Sequence, residues 1–130
     1  MSSEAAHEAI PPGTLDMLIL QTLARDGKLH GFEIAESIQE RSGSVLQVEE
    51  GSLYPALQRL LLNGWVKGEW GESENKRRAK YYRLTAAGKR QLQAEKDKWK
   101  RLTEVIAGVL DSAAEKPRIR WRACGRSSMR

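Results

Sequence analysis

A cluster of cations between residues 76 and 83 is the part of the sequence best suited to bind another molecule. Groups that neutralise several phosphates release the condensed counterions, and this release drives binding to nucleic acid. Arg77 and Arg78 are the best candidates for phosphate or groove contacts, because a planar guanidinium binds two acceptors at once. The cluster predicts contact with a polyanion; its basic residues and the tyrosines among them are Lys76, Arg77, Arg78, Lys80, Tyr81, Tyr82 and Arg83.

The residue types that usually perform catalysis do not form a recognisable set. His30 stands at the predicted start of a helix, where a capping or packing role is the simpler interpretation, and His7 lies near the chain start. Ser73 and Lys76 match one spacing of acyl-transfer enzymes, but the partner motifs are missing. Phosphate-binding loops, dinucleotide fingerprints and zinc motifs are also missing, and Cys124 is the only cysteine. We therefore predict no enzymatic activity, no cofactor and no metal site.

The charge of the 130-residue chain is unevenly distributed. The net charge is +5, but residues 1–50 carry −6, residues 51–100 carry +7 and the last thirty carry +4. Such an asymmetry is typical of a protein that binds a polyanion, although a solvated charged surface is the alternative. The longest apolar run has four residues and the start lacks a secretory pattern, so we expect a cytoplasmic protein without membrane contact.

Three amphipathic helices are predicted in the first half of the chain. The first covers residues 14–25 and the second residues 31–41, and each is followed by a glycine-containing turn. The third ends at Asn63-Gly64. Ser52 is its predicted N-cap, which would place Pro55 in the first turn, where the missing N–H costs no helical hydrogen bond. Its apolar face consists of Leu53, Ala56, Leu57, Leu60 and Leu61.

Two strands and a long helix are predicted to follow. Alternating and aromatic residues predict strands over 65–70 and 80–84, joined by a charged loop that must project into solvent as an exposed basic finger. Trp65 and Trp70 are interpreted as core aromatics of this hairpin. Thr85 is the predicted N-cap of the last helix.

The last helix carries a narrow apolar stripe with the spacing of a two-helix coiled coil. Because a long polar helix needs a surface to pack on, we expect it to form a homodimer interface. Folding of the stripe back onto the first three helices is the alternative. Trp99 could simply pack in this interface or form one wall of an effector pocket between subunits. The predicted interface residues are Leu92, Trp99, Leu102, Ile106 and Val109.

Three helices followed by a two-stranded hairpin are the winged form of the helix-turn-helix. In that arrangement the third helix lies in the major groove of DNA and the hairpin reaches the backbone or the minor groove. Gly51, Ser52 and Tyr54 lie at the start of the third helix, and this end suits the role because the backbone N–H groups of helix N-termini attract phosphate. The predicted fold is mainly α with a small β-hairpin.

Three segments form a specific combination: Gly-Ser-Leu-Tyr-Pro-Ala-Leu over residues 51–57, Gly64-Trp65, and the Arg-Arg-Ala-Lys-Tyr-Tyr hairpin over residues 77–82. With these segments the chain closely resembles the PadR-like family of bacterial transcriptional regulators, over residues 13 to 110. One departure is Leu61, where the family often has glutamate, and it should add apolar surface beside the third helix. The matching segments are residues 13–20, 29–34, 50–57 and 77–85.

The resemblance implies a dimeric repressor of the short type, with one C-terminal dimerisation helix. It places Ser52, Tyr54 and Pro55 at the DNA-facing start of the recognition helix. It also implies that the wing contacts DNA, and that a phenolic compound or a flat aromatic molecule could act as effector near the dimer interface. The implied wing residues are Lys76, Arg77, Arg78 and Lys80.

These inferences combine into one domain plan and one functional hypothesis. We expect a flexible arm over residues 1–12, a winged helix-turn-helix over 13–84, a dimerisation helix over 85–113 and a basic, disordered tail over 114–130. The hypothesis is a ligand-responsive repressor that binds a near-palindromic operator in double-stranded DNA as a homodimer. The alternative is an adaptor that uses its long helix to dock another protein, with an incidental basic hairpin.

Overall fold

A computed structural model describes residues 10–11, 13–72 and 76–111. Most of the predicted arm over 1–12 and the whole predicted tail over 114–130 lie outside the described residues, as do Ser73 and Cys124. The described chain is mainly helical with a small antiparallel sheet, which confirms the predicted fold class. The elements are α1 (Leu15–Asp26), β1 (Leu29–His30), α2 (Gly31–Arg41), α3 (Glu50–Leu62), β2 (Val66–Glu72), β3 (Arg78–Leu84) and α4 (Ala86–Leu110).

The sheet has three strands instead of the predicted two. Its order is β1-β3-β2, with both pairings antiparallel. Strand β1 pairs Leu29 with Tyr82 and His30 with Tyr81. A strand of two residues is too short to display an alternating pattern, so the sequence analysis did not predict it. It joins the turn between α1 and α2 to the hairpin.

Contacts divide the chain into two compact units, residues 1–96 and 97–130. The first unit contains one hydrophobic core, built from one face each of α1, α2 and α3 together with a few residues of the sheet and the start of α4. Burial of this apolar surface is the main stabilising contribution to a domain of this kind. Its largest fully buried apolar side chains are Ile19, Leu20, Leu23, Ile34, Leu53, Leu57 and Leu60.

Helix α2 begins at a capping box centred on His30. The Nδ1 atom of His30 accepts the backbone N–H of Glu33 at 3.4 Å, and the Glu33 carboxylate accepts the backbone N–H of His30 at 3.1 Å. The predicted capping role of His30 is confirmed. This arrangement satisfies two backbone donors that a helix start otherwise leaves without partners.

Helix α3 begins earlier than predicted, so the capping role assigned to Ser52 is wrong. The helix starts at Glu50 with Glu49 as N-cap, and the carbonyl oxygen of Glu49 already accepts the Leu53 N–H at 2.9 Å. Pro55 therefore lies inside the helix and leaves the carbonyl of Gly51 without its usual helical donor. Gly51 is exposed, so water can solvate that carbonyl.

The hairpin of β2 and β3, called the wing below (residues 66–84), is longer than the two predicted strands. Seven residues of each strand pair, from Val66 opposite Leu84 to Glu72 opposite Arg78. The prediction that Trp70 is a core residue is wrong, because its side chain is 58% exposed. It lies near the tip, beyond the part of the wing that the helices cover. Trp65 does pack against the core.

The start of α4 belongs to the first unit. Thr85 caps the helix as predicted, since its Oγ1 accepts the Gly88 N–H at 3.0 Å. Leu92 is only 7% exposed and is part of the core of the first unit. Its side chain is thus covered within the chain, which leaves little of it for the dimer interface to which the sequence assigned it. The first unit consequently extends past the predicted boundary at residues 84 and 85.

Candidate nucleic-acid interface

An open cleft of about 810 Å³ lies between the wing and the N-terminal ends of α2 and α3. We call it the wing cleft. Three exposed or half-exposed aromatic rings and several cations line it, so it offers both stacking surfaces and positive charge. The residues that line it are His30, Gly31, Phe32, Glu33, Glu36, Tyr54, Trp70, Arg77, Arg78, Ala79, Lys80 and Tyr82.

Helix α3 presents its start to this cleft while its opposite face anchors it. Ser52, Tyr54 and Pro55 are exposed. Leu53 and Leu57 are almost fully buried in the core. Of the three exposed residues, Tyr54 is the one that lines the wing cleft.

Tyr54 packs closely on the first residue of α2. A Cβ added at Gly31 would lie 2.8 Å from the Tyr54 hydroxyl oxygen and about 3 Å from the ring, so only glycine leaves room for the ring there. This contact fixes the start of α3 against the start of α2. It also holds a hydroxyl group, a hydrogen-bond donor and acceptor, beside the wing cleft.

The predicted cations of the wing lie together on its tip and cleft side. Lys76, Arg77 and Arg78 are exposed, and Lys80 is half-buried. Arg77, Arg78 and Lys80 line the wing cleft, which places them on the same concave surface as Tyr54. Lys76 has a positive φ of 60°, a value that belongs to the turn between the strands.

Sequence reasoning missed two aromatic residues of this surface, Phe32 and Trp70. Phe32 is 66% exposed at the start of α2, where a helical pattern predicts only a solvent-facing position. Trp70 pairs with Lys80 and shares its face, but this register is a property of the folded hairpin that the sequence analysis did not predict. Both rings border the wing cleft.

A second cleft of about 430 Å³ has the opposite charge. Phe32, Glu36 and Tyr54 line both clefts. The second cleft adds Glu40 and Glu50, and the cations of the wing do not line it. The first cleft carries three cations against two carboxylates, so its charge favours a polyanion over that of the second cleft. The electrostatics therefore separate a cationic side of the α2–α3 edge from an anionic one.

The middle of the wing is fixed to the turn after α1. The Lys28 Nζ lies 2.7 Å from the Glu69 Oε2 and 5.8 Å from the centre of the Tyr81 ring. The hydrogen bond and the charge of Lys28 lower the pKa of Glu69 below its ordinary value. His30 meets Tyr81 edge-on, with ring centres 5.3 Å apart. Together with the β1–β3 pairing, these contacts set the direction of the wing.

A further ion pair joins two of the helices. Arg59 on α3 donates two hydrogen bonds to the Asp16 carboxylate on α1, from Nη2 at 2.7 Å and from Nε at 3.4 Å, and this pair raises the pKa of Arg59.

Burial raises the pKa of the Tyr82 phenol, and the nearby Tyr54 adds to the shift. Tyr82 is thus a neutral member of the cleft wall at physiological pH.

The described residues contain no group of three or more His, Cys, Asp or Glu side chains that could hold a metal ion. Within the same part of the chain, no helix combines the length and the apolar composition needed to cross a membrane.

Residues 19–94 match the model of the "Transcriptional regulator PadR-like family". This stretch runs from within α1 to the start of α4, and so covers more than half of the chain. The chain belongs to the PadR-like family. The resemblance found in the sequence is thereby confirmed. PadR-like proteins are transcriptional regulators, so the chain is a DNA-binding regulator of transcription and not an enzyme.

The chain is also similar to individual proteins. A transcriptional regulator from Clostridium thermocellum is 33% identical with a TM-score of 0.67, and the match covers 73% of this chain and 91% of that one. A PadR family transcription regulator from Clostridium difficile is also 33% identical, with a TM-score of 0.64, and the match covers 75% of this chain and 99% of that one. An uncharacterised protein from Lysinibacillus sphaericus is 31% identical over 94 residues, which are 72% of this chain and 85% of that protein.

Proposed function

We propose that this PadR-like regulator is a repressor that binds a near-palindromic operator as a homodimer and releases it in response to a small flat aromatic molecule. In this proposal α3 is the recognition helix. Ser52, Tyr54 and Pro55 at its start enter the major groove. The wing cations contact the flanking backbone or minor groove; they are Lys76, Arg77, Arg78 and Lys80.

The observation that carries the proposal is that the wing cleft joins the two candidate DNA contacts in one concave surface. Tyr54 from α3 and Arg78 and Lys80 from the wing line the same cleft. The core anchors α3 from behind, and the Lys28–Glu69 pair holds the wing. A duplex can therefore meet a helix start and a cationic hairpin at the same time. Because the fold already holds α3 and the wing in place, a duplex that contacts both gains affinity without the entropy cost of ordering either element.

Homodimer formation is supported by the exposed apolar residues of the second unit. Trp99, Leu102, Ile106 and Val109, called the α4 stripe below, are between 44% and 70% exposed. These residues keep the spacing of a coiled-coil seam, and a polar helix with such a stripe is stabilised by a matching helix. Two copies related by a twofold axis would present two recognition helices to DNA, hence the near-palindromic operator.

The effector part of the proposal centres on Trp99. Its indole is 44% exposed and lines neither of the two clefts in the first unit. A flat aromatic molecule could stack on it where two copies meet. Such a molecule acts by binding more tightly to a dimer whose two recognition helices no longer match the spacing of the operator half-sites than to the DNA-binding dimer. The difference between these two affinities sets the size of the effect.

A competition gel-shift experiment tests the proposed function. We expect a genomic fragment that carries the operator to stay bound in a large excess of unrelated duplex, while a scrambled fragment of equal composition is released. Tyr54→Ala should reduce the preference between the two fragments, and Arg78→Ala should weaken binding to both about equally. Equal release of both fragments by wild type would contradict a sequence-specific repressor. The proposal also implies that the protein is located in the cytoplasm, where the genomic operator is found.

A further inference from the structure

The pairing of the two wing strands brings an exposed tryptophan and two cations onto one face. Trp70 stands directly opposite Lys80, and Arg78 lies two residues from Lys80 on the same strand. Side chains at alternate positions of a strand share a face, and diagonal neighbours remain within reach of long side chains. The face that lines the wing cleft therefore carries Trp70, Arg78 and Lys80 together.

The distances on this face identify cation–π contacts. The guanidinium carbon of Arg78 lies 4.4 Å from the centre of the Trp70 ring. The Lys80 Nζ lies 6.0 Å from the Trp70 ring centre and 5.9 Å from that of Tyr82. Each cation thus lies within the range at which the ring quadrupole attracts it. Trp70 is the ring that both cations share.

A glycine provides the space for the Lys80 side chain. Gly68 pairs with Tyr82, so it lies on the same face, one position before Trp70 in the alternation. A Cβ at Gly68 would lie 2.6 Å from the Lys80 Cε. The absence of a side chain there lets the Lys80 stem lie along the strand, with its ammonium between the Trp70 and Tyr82 rings.

We infer that Trp70 is a positioning residue for DNA binding, which holds the Arg78 guanidinium and the Lys80 ammonium in the orientation that the duplex meets. Long basic side chains otherwise lose considerable rotamer freedom when they bind a phosphate. A ring that restrains them in the free protein reduces that loss, which is the general benefit of preorganisation. This role explains why a large indole remains exposed on a polar hairpin. The inference rests on the proposed function and assigns a role within the same interface.

Ring-current shifts in the free protein test the contact without DNA. In wild type, the side-chain methylene protons of Arg78 and Lys80 should resonate upfield of their usual positions. Trp70→Ala should return them to those positions, and Trp70→Phe should retain part of the shift. Leu62→Ala, which removes another exposed apolar side chain, should leave them unchanged. Unshifted protons in wild type would overturn the inference, whatever the protein does with DNA.

Binding to a labelled duplex of mixed sequence at low ionic strength tests the consequence. We expect Trp70→Ala to weaken binding about three- to tenfold, and Trp70→Phe to restore most of the affinity. In an Arg78→Ala/Lys80→Ala background, Trp70→Ala should change binding less than about twofold, because the residues it positions are gone.

An undiminished effect of Trp70→Ala in that background would mean that the indole itself contacts DNA, and would overturn the positioning role. Absence of any binding by wild type would instead contradict the proposed function, while the ring-current measurement would still decide whether Trp70 restrains the two cations. Thermal unfolding of each variant separates these effects from a loss of folding.

Discussion

The backbone carbonyl oxygen of Trp65 lies directly against Gly88, where the first turn of α4 meets the start of β2. The same oxygen accepts the N–H of Thr85 at 3.1 Å. A Cβ at Gly88 would overlap this oxygen and lie 2.8 Å from the Leu84 Cδ1. The hydrogen bond from Thr85 holds the Trp65 carbonyl in place, so the space between this carbonyl and Gly88 cannot widen without a loss of stability. Glycine at this position is what lets α4 begin in contact with the wing.

Gly88→Ala should therefore destabilise the protein, although alanine normally favours a helix. We expect a decrease of about 1–3 kcal/mol in the free energy of unfolding, measured by urea denaturation. Gly108→Ala is the matched control in the same helix, because a Cβ there meets no atom within 4 Å. That control should raise the free energy of unfolding by about 0.5–1 kcal/mol, because alanine favours a helix more than glycine does. Equal effects of the two substitutions would contradict the close approach.

Removal of the wing arginines should weaken binding to every duplex. Arg77→Ala combined with Arg78→Ala should reduce the slope of log affinity against log salt by about one unit per lost phosphate contact. Arg90→Ala removes an exposed cation that does not line the wing cleft, and it should leave the slope unchanged. An unaltered slope in the double variant would count against a wing contact.

Charges placed in the α4 stripe should abolish the dimer. Leu102→Glu and Ile106→Glu together would force carboxylates into an apolar interface, where they lack partners. We expect monomers by sedimentation equilibrium at concentrations where wild type is dimeric. Ala107→Glu, at an exposed position next to the stripe, is the control and should remain dimeric. A double variant that still sediments as a dimer would show that another surface forms the interface.

The Lys28–Glu69 pair predicts a pH dependence of stability. Lys28 lowers the pKa of Glu69 from its ordinary value of 4.5. A carboxylate with a lowered pKa in the folded state adds stability that is present above its unfolded-state pKa and lost as the pH falls through the folded-state value. Wild type should thus lose more stability than Lys28→Gln as the pH falls below 4.5. The difference should be small, because the pair is exposed.

Urea denaturation at a series of pH values provides the measurement, with Lys67→Gln as control. Lys67 has the weakest of the effects that act on the Glu69 pKa, so its replacement should leave the pH profile close to that of wild type. Parallel profiles for wild type and Lys28→Gln would show that the pair does not contribute to the stability of the fold.

The sequence predicted most of the fold because the strong local signals agree with the packing. Helix α2 has the predicted bounds, and Gly27 and Gly64 take the positive φ angles of 86° and 75° that the turn residues indicated. The predictions failed where packing of the domain overrides a local signal. Ser52 is a good capping residue in isolation, but the anchoring of Leu53 and Leu57 in the core is compatible with a helix that starts three residues earlier.

The candidate site was predicted in its charged residues and missed in its aromatic ones. A basic cluster is visible in composition, whereas the exposure of Trp70 and Phe32 depends on which part of the surface the helices cover. The same limit applies to Leu92. Its seven-residue spacing to Trp99 suits a coiled coil, but it equally suits packing on a domain, and the fold uses it for the latter.

Selection of genomic DNA is the decisive measurement for sequence-specific binding by this protein. Purified protein is mixed with sheared genomic fragments at moderate salt, and the retained fragments are sequenced. We expect enrichment of a small set of fragments that share a near-palindromic motif, with half-sites about one helical turn apart, and loss of this enrichment in Tyr54→Ala combined with Arg78→Ala. Failure of the wild-type protein to retain any double-stranded fragment, even at low ionic strength, would show that the wing and α3 do not form a DNA-binding surface.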